Sequence, residues 1–230
     1  MFNTSMKELS FTHIFNPGSS SSAPTLILLH GTGGSEESLL ELGRELLPDA
    51  NFLSPRGKVL EDGMPRFFRR LALGVFDPKE VRAQAKDLAD FVTQARTHYN
   101  LNKSQFYAVG YSNGANIAAA ILLEHPNVFD GAVLFRSLLP LEAKKPSSPT
   151  PTPVLILSGE QDFMITRDAS EALGAALRET GAEVEQRWQP TGHQLTFSDV
   201  LIAKEWLTTQ LAAKSKSKSL TTRRLKNKGK

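Results

Sequence analysis

The chain has 230 residues, of which 40% are hydrophobic and 22% are charged, and its formal net charge is +3. This length and composition allow a core of ordinary size and are typical of one α/β domain. The absence of cysteine excludes a disulfide framework, thiol catalysis and metal binding by thiolates, and it is typical of a reducing compartment.

Neither a targeting segment nor a membrane span is predicted. The N-terminal stretch MFNTSMKELSFTHIF lacks the long apolar core of a signal peptide. Nowhere does an apolar run approach the roughly 20 residues that a membrane span needs. We therefore expect a cytoplasmic protein.

The positive charge is concentrated at the C-terminal end. Residues 214–230, KSKSKSLTTRRLKNKGK, hold eight of the 27 basic residues and no acid, so residues 1–213 carry 19 basic against 24 acidic residues. Such a segment buries too little apolar surface to order itself, which predicts a single domain over 1–213 followed by a disordered tail. The alternative is an arm that binds nucleic acid or another polyanion without sequence specificity.

The first part of the chain predicts a strand, a turn and a helix after a short edge strand at 8–16. Residues 24–30, PTLILLH, form an unbroken apolar run, as in a strand buried on both faces of a parallel sheet. The glycine-rich turn HGTGG follows at 30–34, and Ser35 with two acidic residues after it predicts the start of a helix through Leu46.

The HGTGG turn is a candidate oxyanion hole. It matches neither G-x-G-x-x-G nor the lysine-bearing P-loop, so a nucleotide site is not expected. Flexible backbone of this kind can point N–H groups inward, and the N–H of Thr32 is the first candidate donor. His30 is expected to bond loop backbone rather than to act in catalysis.

A long loop at 54–76 follows a short strand at 51–53. Loops of this length in compact domains are typically functional, so we expect Met64, Phe67 and Phe68 to wall a substrate pocket. The alternative is that the aromatic side chains pin the loop to the body of the protein. Leu138, in the connector after a later strand, is a further expected substrate contact.

Residues 106–120, FYAVGYSNGANIAAA, join an apolar strand to a helix of small residues through GYSNG at 110–114. This is G-x-S-x-G in the strand–turn–helix context of a nucleophile elbow, with Ser112 at its tip. The two glycines remove side chains that would collide in so sharp a turn. Because the helix N-terminus favours negative charge, the N–H of Asn113 is the second candidate oxyanion donor. The alternative is a glycine-rich turn with an incidental serine.

The second half of the chain alternates strands and helices. Strands are predicted at 132–135, 154–157 and 183–188, and helices at 168–179 and 198–212. A helix is also predicted from Asp77 to Tyr99, and the proline-rich connector at 146–153 leaves no room for a helical lid. This alternation predicts a mainly parallel sheet with helices on both faces.

Candidate partners for Ser112 follow later strands, where active groups gather in such sheets. Of the five histidines, His193 lies in the loop after the last strand and is the candidate base. Asp162 follows the strand before it and is the candidate acid, whereas Asp168 is expected to begin a helix as a capping residue. The order serine, acid, histidine is that of hydrolase triads.

The motifs LLHGTGG, SPRG, MPRFFRR, GYSNGANIA, GEQD and TGHQLT lie in this order over residues 24–212. Together they resemble the phospholipase/carboxylesterase branch of the α/β-hydrolase family. The resemblance implies an α/β-hydrolase fold without a lid domain, the triad Ser112, Asp162 and His193, and oxyanion contacts at Thr32 and Asn113. It implies neither a cofactor nor a metal ion.

Three functions fit these residues. The first is a carboxylesterase that cleaves small-molecule esters through an acyl-enzyme on Ser112, and the second is a thioesterase or a lactone or lysophospholipid hydrolase with the same triad. The third is a binding protein that kept the fold, against which the complete triad argues. A homodimer is compatible with the sequence. The short connector predicts a shallow, open pocket that prefers short acyl chains.

Overall fold

The computed structural model describes residues 8–142 and 151–227, with side chains as far as Lys214. The strands in these residues are β1 His13–Asn16, β2 Thr25–Leu29, β3 Asn51–Pro55, β4 Val59–Glu61, β5 Met64–Arg66, β6 Phe106–Tyr111, β7 Gly131–Phe135, β8 Pro153–Gly159 and β9 Glu183–Gln189. The helices are α1 Leu40–Leu46, α2 Pro78–His98, α3 Asn113–Glu124, α4 Arg167–Glu179 and α5 Phe197–Asn227.

Seven of these strands form one sheet in the order β1-β3-β2-β6-β7-β8-β9, while β4 pairs with β5 as a separate hairpin. Strand β1 is antiparallel to β3, and every other neighbouring pair in the large sheet is parallel. The carboxyl ends of β2, β6, β8 and β9 therefore meet at one edge of the sheet. The predicted mainly parallel α/β fold is confirmed.

Helices cover both faces of the sheet. Ile27 and Leu29 of β2 pack into a cluster with α2, α3 and α4, whereas Leu26 and Leu28 pack into a second cluster with α1 and α5. A strand covered on both faces needs apolar residues at every position, which explains the unbroken run TLILL. Residues 8–142 and 151–227 contain no helical lid domain.

Two helix starts differ in how they match the sequence predictions. Helix α2 begins as predicted, because Asp77 accepts a first-turn N–H at 2.9 Å and Pro78 is the first helical residue. Helix α1 begins only at Leu40. Ser35 caps a turn instead of this helix, since its Oγ accepts the N–H of Glu37 at 3.2 Å.

The loop predicted at 54–76 contains the hairpin β4–β5. Val59 pairs with Arg66 and Glu61 with Met64, around a two-residue turn of Asp62 and Gly63 with φ of 53° and 75°. Asp-Gly is the residue pair that such a turn favours, so the sequence did hold a signal for it. Met64 is the first residue of β5, directly after this turn, and its side chain lies beside Gly33 of the HGTGG segment.

Helix α5 runs from Phe197 to Asn227, past the predicted end at 212. A domain over 1–213 with a disordered tail stays a prediction, and residues 228–230 lie outside the described part of the chain, as do the N-terminal residues 1–7 and most of the connector at 146–153. None of the helices in the described residues has the length and apolar character to cross a membrane.

Candidate active site

Ser112 occupies the turn between β6 and α3 with φ of 53° and ψ of −115°, a conformation that is strained for a residue with a side chain. The flanking glycines make this turn sterically feasible. A Cβ on Gly110 would lie 2.6 Å from the Cα of Ala115, and one on Gly114 would lie 2.0 Å from the carbonyl oxygen of Leu29. Helix α3 therefore starts in direct backbone contact with the end of β2.

His193 lies between Ser112 and Asp162. Its Nε2 is 3.0 Å from Ser112 Oγ, and its Nδ1 is 2.7 Å from Asp162 Oδ2. The Asp162 side chain is fully buried, and its Oδ1 accepts the N–H groups of Met164 and Ile165 at 2.8 and 3.1 Å. With the carboxylate held in this way, Nδ1–H donates to it and Nε2 faces the serine hydroxyl as an acceptor.

Asp168 lies away from this group, in the first turn of α4. Thr166 is the cap of that helix, since its side chain accepts the N–H of Ala169 at 3.2 Å. A carboxylate in a first helical turn is stabilised by the helix dipole, which accounts for Asp168 without a role at Ser112.

The loop that carries His193 is held by hydrogen bonds to three of its successive carbonyl groups, those of residues 192–194. Arg136 donates from Nε to Gly192 O at 3.0 Å and from Nη2 to Gln194 O at 2.9 Å. The Tyr111 hydroxyl donates to His193 O at 3.1 Å. The backbone on both sides of the histidine is thus fixed by side chains from the ends of β6 and β7.

The guanidinium of Arg136 is completely buried. Besides the two loop carbonyls, it donates to Leu157 O at 3.0 Å and to both carboxylate oxygens of Asp199 at 2.6 and 3.1 Å. These contacts use all five of its N–H donors. Sequence reasoning missed this residue, although a basic side chain directly after a buried strand, at the edge where active groups gather, was a usable signal.

His30 is a structural residue of the HGTGG turn, as predicted. Its Nδ1 donates to Gly31 O at 2.7 Å, and its Nε2 accepts the N–H of Gly57 at 3.0 Å. Burial lowers the pKa of His30, in part against the opposing effect of the Gly31 hydrogen bond. The neutral imidazole therefore fixes the turn to the loop after β3.

Thr32 and Asn113 both line a cavity beside Ser112. Their side chains are engaged: Thr32 Oγ1 accepts from Arg66, and Asn113 Oδ1 accepts the N–H of Phe67 at 2.7 Å. Within the described residues, neither backbone N–H has an acceptor. Two backbone donors without partners next to a strained serine are what an oxyanion hole requires.

The cavity beside Ser112 has a volume of about 370 Å³, including its open mouth. It is lined by Thr32, Arg66, Arg70, Leu73, Gly74, Phe76, Ser112, Asn113, Asn116, Leu138, Met164 and Ile165. A wider cleft of about 800 Å³, including open solvent, lies on the other side of Thr32 and is bordered by Tyr111, Gln194 and Leu195.

Of the four residues predicted to contact substrate, Leu138 lines this cavity and the other three do not. Phe67 and Phe68 are buried in the core, where Phe67 packs on His30 with ring centroids 4.8 Å apart. In contrast to the prediction, neither phenylalanine lines this cavity, and their burial agrees with the alternative that they pin the loop to the body of the protein. Met64 is 37% exposed and packs beside Gly33.

Comparisons with known proteins agree with this geometry. The sequence model of the phospholipase/carboxylesterase family matches residues 12–211. MhqD of Bacillus subtilis (strain 168) is 44% identical over 194 residues, which cover 84% of this chain and 96% of MhqD. The Bacillus cereus carboxylesterase structure is 41% identical with a TM-score of 0.84, over 87% of this chain and 95% of that one.

A third similar protein is YahD, whose structure was solved with malic acid. It is 29% identical, with a TM-score of 0.81, over 87% of this chain and 99% of that one. The sheet order, the strained serine and the match over residues 12–211 lead to one assignment. The chain is a hydrolase that belongs to the phospholipase/carboxylesterase family of the α/β-hydrolase fold.

Proposed function

We propose that this protein is a serine carboxylesterase that cleaves small carboxylic esters through an acyl-enzyme on Ser112. The observation that supports this most is the continuous hydrogen-bonded chain from Ser112 Oγ through His193 to Asp162. Beside its Ser112 end lie the backbone N–H groups of Thr32 and Asn113, which lack acceptors in the described residues. The carboxylesterase from Bacillus cereus is a similar protein by sequence and structure.

Acylation begins when Ser112 Oγ attacks the ester carbonyl carbon and His193 Nε2 takes the hydroxyl proton. The oxyanion that forms accepts hydrogen bonds from the N–H groups of Thr32 and Asn113. His193 then gives its proton to the leaving alkoxide, so that the alcohol departs and the acyl group stays on Ser112. Asp162 keeps the imidazole in the required tautomer and stabilises its charged form.

Deacylation repeats these steps with water as the nucleophile. His193 takes a proton from the water, the hydroxide attacks the acyl carbonyl, and Ser112 Oγ leaves with the proton that His193 returns. The same two N–H groups bind the second oxyanion. Each such donor is worth about 3–4 kcal/mol of transition-state stabilisation, so the position of this backbone matters more than its side chains.

The two spaces on either side of Thr32 suit the two halves of an ester. The smaller cavity, with Leu138 and Ile165 in its wall, holds the acyl group, and the wider cleft holds the alcohol. An acyl chain that outgrows the cavity gains none of the roughly 0.8 kcal/mol per methylene that burial provides. We therefore expect kcat/KM to peak at acyl chains of about two to six carbons.

A labelling experiment tests the proposed function. Wild type, Ser112→Ala and the exposed-site control Ser198→Ala are treated with a fluorophosphonate and assayed on p-nitrophenyl esters, acyl thioesters and lactones. We expect label on Ser112 in the wild type and the control, and a loss of several orders of magnitude in turnover in Ser112→Ala. Label on another serine, or near-normal turnover of Ser112→Ala, would overturn the proposal. Faster thioester or lactone turnover would replace the ester as substrate.

A further inference from the structure

The cavity beside Ser112 has an unusual charge. Two arginines, Arg66 and Arg70, are among its lining residues, and no aspartate or glutamate is. The rest of the lining is apolar or carries neutral polar groups such as those of Asn113 and Asn116. A space intended only for an alkyl acyl chain has no use for two guanidinium groups.

Among the described residues, Glu61 is the carboxylate that contacts both arginines, and it does not neutralise them. Glu61 bonds Arg70 Nε at 2.6 Å and the Arg70 N–H at 3.0 Å, and it lies 3.4 Å from Arg66 Nε. These two contacted guanidiniums carry two positive charges against one negative charge. The cluster keeps a net charge of +1 next to the cavity.

Both guanidiniums retain unused donors. Arg66 uses Nε for Phe68 O and Nη1 for Thr32 Oγ1, and Arg70 uses Nε for Glu61. In the part of the chain that the structure describes, no acceptor bonds Arg66 Nη2 or either Nη atom of Arg70. Every Arg136 donor is satisfied, by contrast, so unused donors are not the rule for arginines near this site.

The two arginines differ in burial. The Arg66 side chain is only 4% exposed and that of Glu61 15%, whereas that of Arg70 is 33% exposed, and desolvation lowers the pKa of Arg66. Arginine nevertheless stays protonated. The buried Arg66–Glu61 contact leaves the second positive charge on the partly exposed Arg70, where a bound anion can complete its hydrogen bonds.

From this arrangement, and resting on the proposed acyl-enzyme function, we propose that the enzyme is selective for esters whose acyl group carries a free carboxylate. Arg70, with support from Arg66, binds that carboxylate while Ser112 attacks the ester carbonyl at the other end. A guanidinium presents paired N–H donors that match the two oxygens of a carboxylate. The simplest substrates of this kind are monoesters of short dicarboxylic acids such as succinate and glutarate.

A pair of isosteric esters isolates the effect of charge. Monomethyl succinate and methyl levulinate differ only in a terminal carboxylate against an acetyl group. Hydrogen bonds to a charged partner predict that wild type has a kcat/KM about 10- to 100-fold higher for monomethyl succinate, as measured by titration of the released acid. The preference is expected to shrink as salt is added.

Matched variants then test the residue assignment. Arg70→Met is expected to bring the ratio of the two kcat/KM values close to one, and Arg70→Glu to bring it below one. Arg69→Met removes the same charge from the exposed neighbouring position, which does not line the cavity, and is expected to keep the wild-type ratio. Succinate itself is expected to inhibit methyl levulinate hydrolysis by wild type and not by Arg70→Met.

The outcomes separate this inference from the function on which it rests. Hydrolysis of both esters at equal rates would overturn the carboxylate preference and leave the esterase in place, whereas hydrolysis of neither would count against the esterase. A preference that survives Arg70→Met would overturn the assigned residue. A preference for acetoxyacetate, which carries its carboxylate on the alcohol side, would overturn the assignment to the acyl side.

Discussion

Arg136 and Asp199 form an ion pair that is completely buried, with Nη2 and Oδ2 2.6 Å apart and Nη1 and Oδ1 3.1 Å apart. The Asp199 carboxylate also accepts the N–H and the hydroxyl of Thr196, each at 2.8 Å. The pair thereby ties the end of β7 to the first turn of α5 and to the loop that carries His193.

Substitution of Arg136 by lysine is predicted to lower kcat more than it changes KM. Lysine keeps a charge for Asp199, but its three N–H donors cannot replace the five that Arg136 uses for Asp199, Leu157 and the loop carbonyls. A small displacement of His193 is expected to lower kcat about ten- to a hundredfold. Single-turnover acylation on folded protein measures this directly. Tyr111→Phe, which removes one loop bond only, serves as the milder comparison, and a wild-type kcat in Arg136→Lys would refute the role.

Two buried helical glycines are predicted to respond differently to alanine. At Gly114 the new Cβ would meet backbone atoms of β2 at 2.0 Å, so we expect Gly114→Ala to cost about 3 kcal/mol or more and to impair acylation. At Gly174 the nearest atoms are the side-chain ends of Gln186 and Arg178, which can move. Gly174→Ala is expected to stay within about 1 kcal/mol of wild type. Urea unfolding measures both, and equal losses would contradict the backbone contact.

The free energy of unfolding is predicted to decrease when the pH drops below 6.5, the ordinary pKa of histidine, because of His30. Burial lowers its pKa from 6.5 in the folded protein. As the pH falls through this value the unfolded chain therefore binds a proton that the folded protein does not yet bind, and the free energy of unfolding decreases. A proton on Nε2 would also face the N–H of Gly57.

The measurement is the urea midpoint of wild type and His30→Gln at about pH 7, 6 and 5. The variant starts less stable because it loses turn hydrogen bonds, but its decline towards acid should be smaller. Glu36, whose pKa is lowered chiefly by its hydrogen bond to Arg56, affects stability at more acidic pH, below its ordinary value of 4.5. Parallel declines in the two proteins would exclude His30 as the cause.

Substitution by alanine is predicted to have different effects at Phe68, where it leaves a cavity in the core, and at Leu138, where it enlarges the cavity beside Ser112. Phe68 is a core residue without exposure, so Phe68→Ala should cost about 3–5 kcal/mol and leave the chain-length optimum in place. Leu138→Ala enlarges the cavity beside Ser112, and if this cavity holds the acyl group as proposed, the optimum should move to longer acyl groups. A p-nitrophenyl ester series from acetate to octanoate, below the concentration of aggregation, checks both. A shifted optimum in Phe68→Ala would restore that residue to the pocket.

The C-terminal basic segment is predicted to contribute little beyond Lys214. The Lys214 Nζ bonds Asp130 O at 2.7 Å and lies 3.3 Å from its carboxylate. A chain that ends at Lys214 should keep the wild-type Tm, and one that ends at Ala213 should lose up to about 1 kcal/mol, which is about 2–4 °C. A large loss of Tm in the chain that ends at Lys214 would mean that the basic segment docks on the domain.

Features set by local patterns were predictable from sequence. Unbroken apolar runs predict strands such as β2, and two glycines at fixed spacing predict the turn at Ser112. The places of Asp162 and His193 follow from strand ends in a parallel sheet. Their roles in catalysis stay predictions, although the structure brings both side chains to Ser112.

Features set by contacts between distant segments were not predictable. Whether Phe67 faces the pocket or the core depends on the bond from its N–H to Asn113, 46 residues further along the chain. The role of Arg136 depends on Asp199, 63 residues away, and on carbonyl groups that any sequence would provide.

One local feature was also not predicted. Helix α1 starts late because a local side-chain bond at Ser35 competes with the cap.

The backbone contact between Gly114 and Leu29 has a consequence for engineering this enzyme. It joins the turn at Ser112 and the HGTGG turn into one body, whereas Leu73, Leu138 and Met164 in the cavity wall come from separate loops. Directed-evolution libraries at these wall positions can therefore be screened for new substrates, because these substitutions leave the backbone contact between the two turns in place. Libraries that include Gly110 and Gly114 would consist largely of destabilised variants, because a Cβ at either position meets backbone atoms.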